Sequence, residues 1–107
     1  MSCLQQIEWA SGNIYIRPVH LARAGDECGN HAHNFDHTTI ILKGAVRIAK
    51  DGIDQEFFAP SHCLIEKGIR HLIVALEDDT EFWCVYSHRS PQGEVVQEFN
   101  GWLEAYN

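Results

Sequence analysis

Three of the seven histidines in this 107-residue chain are crowded into twenty residues between Gly25 and Gly44. The segment reads GDECGNHAHNFDHTTIILKG and contains His31, His33 and His37. Residues two apart on a β-strand point to the same face, so His31 and His33 present two imidazoles to one point if the segment is extended. Imidazole nitrogens bind Fe, Ni, Cu, Zn and, less well, Mn. The cluster therefore has two interpretations, a metal site or polar residues on an exposed strand face.

The size and composition of the chain indicate an ordinary globular protein. A chain of 107 residues is expected to form one domain, residues 1–107, with one core. Its formal net charge of −7, from 8 basic and 15 acidic residues, argues against nucleic-acid binding because phosphate contacts require a basic surface. No segment reaches the roughly twenty apolar residues of a membrane span. The N-terminal stretch MSCLQQIEWASG contains no basic residue and does not resemble a signal peptide, so we expect a cytoplasmic protein.

The four cysteines are far apart in the chain and form no C-x-x-C pair. In a reducing compartment, such cysteines are expected to be small buried hydrophobic residues rather than disulfides or a zinc knuckle. They are Cys3, Cys28, Cys63 and Cys84.

Short apolar segments alternate with turn signals along the whole chain. NIYIRPVHLAR, HTTIILKGAVRIA, QEFFA, HLIVALE and EFWCVYSH are predicted as strands, because they are rich in β-branched and aromatic residues. Gly44 marks a bend, Lys50–Gly52 a hairpin turn, and AGDECGN a turn or loop. VVQEF is predicted as a last strand and NGWLEAY as a short C-terminal helix capped by Asn100. Turns spaced by about 8–12 residues favour an all-β protein, a small antiparallel barrel or sandwich.

The histidine segment resembles the first motif of the cupin superfamily, G-x(5)-H-x-H-x(3,4)-E-x(6)-G. Gly25, His31, His33 and Gly44 match it in type and spacing, whereas His37 stands where the family usually has glutamate. The second motif, G-x(5)-P-x-G-x(2)-H-x(3)-N, is matched only in part by PSHCLIEKGIRHLIVA. Its Gly68 and His71 agree, while Pro60, Glu66 and Ala75 replace the first Gly, the Pro and the Asn.

The resemblance to a small, single-domain, RmlC-like cupin implies a jelly-roll β-barrel with one metal ion held inside it. By that resemblance, His31, His33 and His71 are ligands of a divalent transition metal and His37 occupies the glutamate position. His37 has a second interpretation, a neighbouring residue that donates no electron pair to the metal. For His71 the alternative is a buried, hydrogen-bonded histidine. The remaining histidines, His20, His62 and His88, have no motif support as ligands.

The histidine in place of glutamate changes the charge of the predicted site. Four neutral imidazoles leave a divalent ion at +2, which favours an anionic ligand in its open coordination positions. In similar cupins, sites made only of histidine accompany ferrous dioxygen chemistry on chelating substrates such as diketones and thiols. Iron is therefore the first expectation, and Ni, Zn or Mn stay open as alternatives.

Further residues are candidates for the pocket wall. Tyr86 and His88 share one face of a late strand, and we predict catalytic roles for them, Tyr86 as an acid or orienting group and His88 as a base. The alternative for Tyr86 is simple packing. Arg17, Arg47 and Arg70 are each able to pair with a carboxylate, but charged residues of strands usually face solvent, and we expect that here.

Three functions fit these residues. The first is a mononuclear, non-haem metal-dependent dioxygenase that acts on a small, oxygen-rich or anionic molecule. The second is a metal-dependent isomerase or lyase that acts on a sugar acid without redox chemistry, and the third is a non-catalytic ligand-binding module. Small cupins commonly pair, so a homodimer is expected, with Leu72, Val74 and Leu76 as an apolar outer set on one strand.

Overall fold

Every regular element in the part of the chain that the structure describes is a β-strand. The structure is a computed structural model that describes residues 3–5, 8–33, 35–89 and 91–93. Its strands are β1 Cys3–Gln5, β2 Trp9–Ser11, β3 Ile14–Leu21, β4 Glu27–His31, β5 His37–Lys43, β6 Ala45–Lys50, β7 Ile53–Phe58, β8 Ser61–Ile65, β9 His71–Ala75 and β10 Thr80–Ser87. The all-β prediction is therefore confirmed. The predicted strand VVQEF and the predicted helix NGWLEAY lie outside the described residues.

The strands form two antiparallel sheets that enclose one core. The first sheet has the order β1-β3-β10-β5-β8, with β2 also paired to β3, and the second has the order β4-β9-β6-β7. From β3 onward the chain passes from one sheet to the other at every step except the β6–β7 hairpin. This repeated crossing is typical of a jelly roll, as predicted. None of the described residues forms a helix with the length and hydropathy needed to cross a membrane.

Buried and less buried side chains alternate clearly along β5 and β10, whereas Tyr15–Val19 of β3 are buried without interruption. On β3 the fully buried residues include Tyr15, Val19 and Leu21, and on β10 they include Phe82. Residues from both sheets belong to one apolar cluster, so the two inner faces pack directly against each other.

Two predicted turns lie where the sequence placed them. Asp51 and Gly52 both have positive φ, 52° and 75°, as a two-residue type I′ hairpin between β6 and β7 requires. Gly44 has a φ of 79° and links β5 in one sheet to β6 in the other. A Cβ at Gly44 would collide with the Thr80 side chain, so the bend needs glycine for space as well as for backbone conformation.

The prediction of a turn or loop over AGDECGN is wrong for its second half. Strand β4 begins at Glu27 and pairs with β9, with a bulge between Gly29 and His31. Gly29 has a φ of 119°, and a Cβ there would lie 3.0 Å from the His71 carbonyl oxygen. The glycine therefore marks a bulged strand against a close neighbour rather than a chain reversal.

The prediction for the cysteines holds for two of them and fails for one. Cys63 and Cys84 are buried free thiols. Cys28 is buried but belongs to a disulfide. Disulfide formation depends on which residues the fold brings within a few ångströms, and sequence spacing alone does not reveal that.

Candidate metal centre

The pairing of β4 with β9 brings two of the predicted ligands together from distant parts of the chain. His31 and His71 are Cα partners across this pair. Their ring centroids lie 4.9 Å apart with an interplanar angle of 86°. One antiparallel strand pair thus brings together two histidines that are forty residues apart in the sequence.

His33 joins this pair from the segment that follows β4. Its ring centroid is 4.6 Å from that of His31 and 5.3 Å from that of His71. The carbonyl of His33 accepts a hydrogen bond of 2.8 Å from the Gly68 amide, which ties the first motif segment to the loop that precedes β9. The glycine of the second motif therefore helps to hold a residue of the first.

One nitrogen from each of His31, His33 and His71 can be chosen so that all three lie within 4.8 Å of one another. Three nitrogens bound to one ion at about 2.1 Å lie about 3.0 to 3.6 Å from one another. The three rings would therefore move closer by about 1 Å to hold one ion. The donor set, three imidazoles, fits a first-row transition metal.

His37 lies beside this group of three at the first position of β5. Its ring centroid is 5.1 Å from that of His33 and 5.3 Å from that of His71. Its side chain is buried in the interior. His37 thus borders the three-nitrogen group without belonging to it, and its role as a fourth ligand stays a prediction.

Backbone carbonyls orient two of the rings. Nδ1 of His71 donates a hydrogen bond of 3.2 Å to the carbonyl of Ile69, which leaves Nε2 as the nitrogen with the free electron pair. His31 has a corresponding hydrogen bond with the backbone of Gly29. Bonds of this kind fix the tautomer and the ring orientation of metal-binding histidines.

Burial keeps the four histidines neutral at physiological pH. Desolvation, followed by the repulsion of neighbouring imidazoles, lowers the pKa of His33 to about 2 and that of His37 to about 3. Desolvation and the neighbouring His71 lower the pKa of His31 to about 4, and burial also lowers the pKa of His71. Neutral imidazole is the form that binds a metal.

Aromatic rings form one wall of the histidine cluster. Phe35 stacks on His33 with centroids 4.9 Å apart and on Tyr86 with centroids 4.2 Å apart. Tyr86 also contacts Tyr15, with centroids 4.8 Å apart. Burial raises the pKa of the Tyr86 hydroxyl, so this group is a proton donor and not an anion at neutral pH.

The two residues predicted to be catalytic lie at the end of β10 and directly after it. The pairing of Val85 with Thr38 places Tyr86 opposite His37 at the next position of β10 and β5. His88 follows the end of β10, is half-buried, and contacts Tyr15 with centroids 5.4 Å apart. Tyr86 thus lies beside His37 in the sheet, and the ring centroid of His88 lies 6.1 Å from that of Tyr86.

Arg17 is the residue that the sequence reasoning missed. Its side chain is only 4% exposed, which contradicts the expectation that the arginines face solvent. Arg47 and Arg70 fit that expectation better, since Arg47 has 42% of its side chain exposed and Arg70 is exposed. Tyr15, Arg17 and Val19 are two residues apart along β3, so Arg17 shares a strand face with two fully buried residues. This shared face was the signal in the sequence.

The other histidines lie away from the cluster. Nε2 of His20 lies 2.6 Å from the Asp79 carboxylate at the surface, and His62 is exposed on β8. Neither belongs to the group of nitrogens that can reach one ion.

Several solved structures share this architecture, although no protein-family model and no curated protein matches the sequence. A cupin superfamily protein from Desulfitobacterium hafniense matches at a TM-score of 0.70 and 15% identity, over 80% of this chain and 77% of that one. KdgF from Halomonas sp. matches at 0.68 and 19% identity, over 85% and 84%. A predicted oxalate decarboxylase from Thermotoga maritima matches at 0.60 and 25% identity, over 66% and 63%.

Proposed function

This chain has the double-stranded β-helix fold of the cupin superfamily, and on that premise we propose that it is a metal-dependent enzyme acting on a small anionic molecule. One observation carries the proposal. Three neutral imidazoles from β4, the following segment and β9 converge so that one nitrogen of each lies within 4.8 Å of the others. Buried histidines that are packed against one another and kept neutral lose solvation without gaining charge pairs, and a metal ion offsets that cost.

We propose one divalent transition metal, with iron as the first choice and Ni, Zn or Mn as alternatives. His31, His33 and His71 would hold it, and His37 would serve as a fourth ligand or as a residue beside it. A metal bound there would supply Lewis acidity and open coordination positions for substrate oxygens. The chain itself contributes no charge through these four ligands, so the site would favour anions.

The residues around the histidines support a reaction in a dry pocket. Phe35 covers one face of His33 and excludes water from that side. The Tyr86 hydroxyl, kept protonated by burial, would donate a hydrogen bond or a proton to a substrate oxygen. His88, whose ring centroid lies 6.1 Å from that of Tyr86, would act as a base.

Dioxygenation is the leading reaction, because the histidine-only site resembles those of cupins that use ferrous iron on chelating substrates. The second candidate is a metal-dependent lyase or isomerase without redox chemistry. The similarity to a predicted oxalate decarboxylase favours this candidate, since such an enzyme acts on a small dianion. A non-catalytic ligand-binding cupin is the third.

We also propose that the protein forms a homodimer. Of the apolar outer set on β9, Val74 is already buried in the single chain, so Leu72 and Leu76, which are half-buried, are the residues left to contact a partner.

Metal analysis of protein purified without chelator tests the proposal. We expect about one metal ion per chain in the wild type and in His62→Gln, which alters an exposed histidine, and a large loss of metal in His71→Gln. Iron together with oxygen uptake on addition of a diketone or thiol supports the dioxygenase. Bound metal without oxygen uptake supports the lyase or isomerase. Protein that binds no metal and is equally stable with and without EDTA would overturn the proposal in favour of a non-catalytic module.

A further inference from the structure

Residues 66–69, between β8 and β9, form a β-turn that contacts two of the proposed metal ligands. A hydrogen bond of 3.2 Å from the amide of the fourth residue to the carbonyl of the first closes the turn. Its third residue, Gly68, has a φ of 81°, as a type II turn requires at that position. The Gly68 amide donates a hydrogen bond of 2.8 Å to the His33 carbonyl. The Ile69 carbonyl accepts one of 3.2 Å from Nδ1 of His71, so a shift of the turn would move both histidines.

Lys50 holds the first residue of this turn from the opposite sheet. It is the last residue of β6, and it is the Cα partner of His71 on β9. Its Nζ donates a hydrogen bond of 2.9 Å to the Glu66 carboxylate and one of 2.6 Å to the Leu64 carbonyl. Leu64 belongs to β8 in the first sheet, whereas β6 belongs to the second. The lysine therefore joins the two sheets at the histidine end of the barrel.

A second side chain ties the same turn to the strand that carries His37. The Asp36 carboxylate accepts a hydrogen bond of 2.7 Å from the amide of Lys67, the second residue of the turn. Asp36 directly precedes His37, which is the first residue of β5. The turn is therefore linked to the segments that carry three of the four clustered histidines.

We infer that Lys50 is a positioning residue, which holds the turn of residues 66–69 so that His33 and His71 face one metal ion. The inference rests on the proposed function, because it requires that these histidines bind a metal. Residues that orient metal ligands contribute about 10- to 100-fold to metal affinity. The side chains of Lys50 and Glu66 are 27% and 55% exposed, and such an ion pair is weak, so we expect about tenfold, the lower end of this range.

The charge of Lys50 and its position have opposite effects on metal binding. Lys50 lies opposite His71 in the strand pair, so its positive charge repels a cation bound there. If the lysine acted only through its charge, Lys50→Met would bind metal more tightly than the wild type. If the lysine holds the turn, Lys50→Met binds metal less tightly, because the turn no longer keeps the two rings in place. The sign of the change in affinity therefore distinguishes the two roles.

Titration of the metal-free protein with Co²⁺ tests this inference, because the absorption bands of bound Co²⁺ report both its affinity and its coordination geometry. Lys50→Met should bind Co²⁺ about tenfold less tightly than the wild type and should shift these bands. Lys50→Arg, which keeps the charge and the N–H donors, should stay within about threefold of the wild type. Lys43→Met removes an exposed ion pair with Asp79 at the end of β5 opposite His37, and it should leave the affinity and the spectrum unchanged.

A measurement on the wild type tests the coupling even if Lys50→Met does not fold. Coupling between the turn and the metal is reciprocal, so metal binding must stabilise the turn as much as the turn favours binding. Zn²⁺ should therefore slow the hydrogen exchange of the Gly68 amide by about tenfold. The Ala59 amide, which donates to the Gly44 carbonyl between other strands, serves as the control and should be slowed less.

The outcomes separate the two proposals. A wild type that binds no Co²⁺ would overturn the proposed function, and the inference with it. A wild type that binds Co²⁺ would overturn the inference alone if Lys50→Met binds it equally or more tightly. An equal loss of affinity in Lys43→Met would also overturn the inference, because the loss would then follow from removing any surface ion pair. Equal effects of Zn²⁺ on the Gly68 and Ala59 amides would overturn it as well.

Discussion

Acidification from pH 7 to pH 5 is expected to remove much of the stability of the metal-free protein. In the folded barrel, burial lowers the pKa values of His31, His33 and His37 to about 4, 2 and 3. In the unfolded chain, histidine has a pKa of about 6.5. Below pH 6.5 the histidines of the unfolded chain therefore bind protons, whereas the same histidines stay neutral in the folded barrel. The free energy of unfolding is largest above pH 6.5, and it falls with pH until each folded pKa is reached.

The size of the effect follows from these pKa values. A histidine that stays neutral when folded costs about 2 kcal/mol of stability between pH 7 and pH 5. The buried His33 and His37 together cost about 4 kcal/mol, and the half-buried His31 adds less because water screens its charge. The lowered pKa of His71 acts in the same direction. Because domains of this kind are stable by about 5 to 15 kcal/mol, the metal-free barrel should be close to unfolding at pH 5.

Urea denaturation in EDTA, followed by tryptophan fluorescence at several pH values, measures this loss directly. His33→Phe, which keeps the stacking on Phe35 but cannot be protonated, should reduce the pH dependence by about one third. His62→Gln, at an exposed position, should not change it. A free energy of unfolding that varies by less than about 1 kcal/mol between pH 7 and pH 5 would refute the neutral, buried cluster.

Substitutions at His37, Tyr86, His88 and Gly44 test other parts of the structure. His37→Glu should retain the metal but weaken azide binding by at least tenfold, because it adds a negative charge beside the ion. His37→Gln adds no charge and should not weaken azide binding. Equal azide affinities in the two variants would count against the charge argument. Tyr86→Phe and His88→Gln should each lower kcat by about 100-fold with unchanged metal content. An unchanged kcat in either variant would mean that the replaced residue only packs. Gly44→Ala should destabilise the fold by more than Gly52→Ala in urea denaturation. Both glycines have positive φ, but only a methyl group at Gly44 collides with the start of β10, so equal losses would contradict the steric account.

Local signals in the sequence were sufficient for the all-β class and for two of the turns. Alternating apolar residues and turn chemistry predicted an all-β fold, and the Asp51-Gly52 turn and the Gly44 bend are confirmed. These features depend on neighbours in the chain, which the sequence displays directly. The spacing of His31 and His33, together with their motif context, likewise indicated a metal centre before any contact was known.

Contacts between distant segments were decided only by the tertiary structure. The bulge at Gly29 follows from the close approach of β9, and the disulfide of Cys28 follows from which sulfur the fold brings near it. Register across β4 and β9 sets His31 against His71, whereas His37 borders the group from another sheet.

The burial of Arg17 is the clearest example of this division. Strand alternation placed it on the same face as Tyr15 and Val19, but the average behaviour of charged residues argued that it faces solvent. Alternation along one strand determines which side chains share a face. Whether a second sheet covers that face is a property of the whole chain, so only the folded barrel decided that Arg17 is buried.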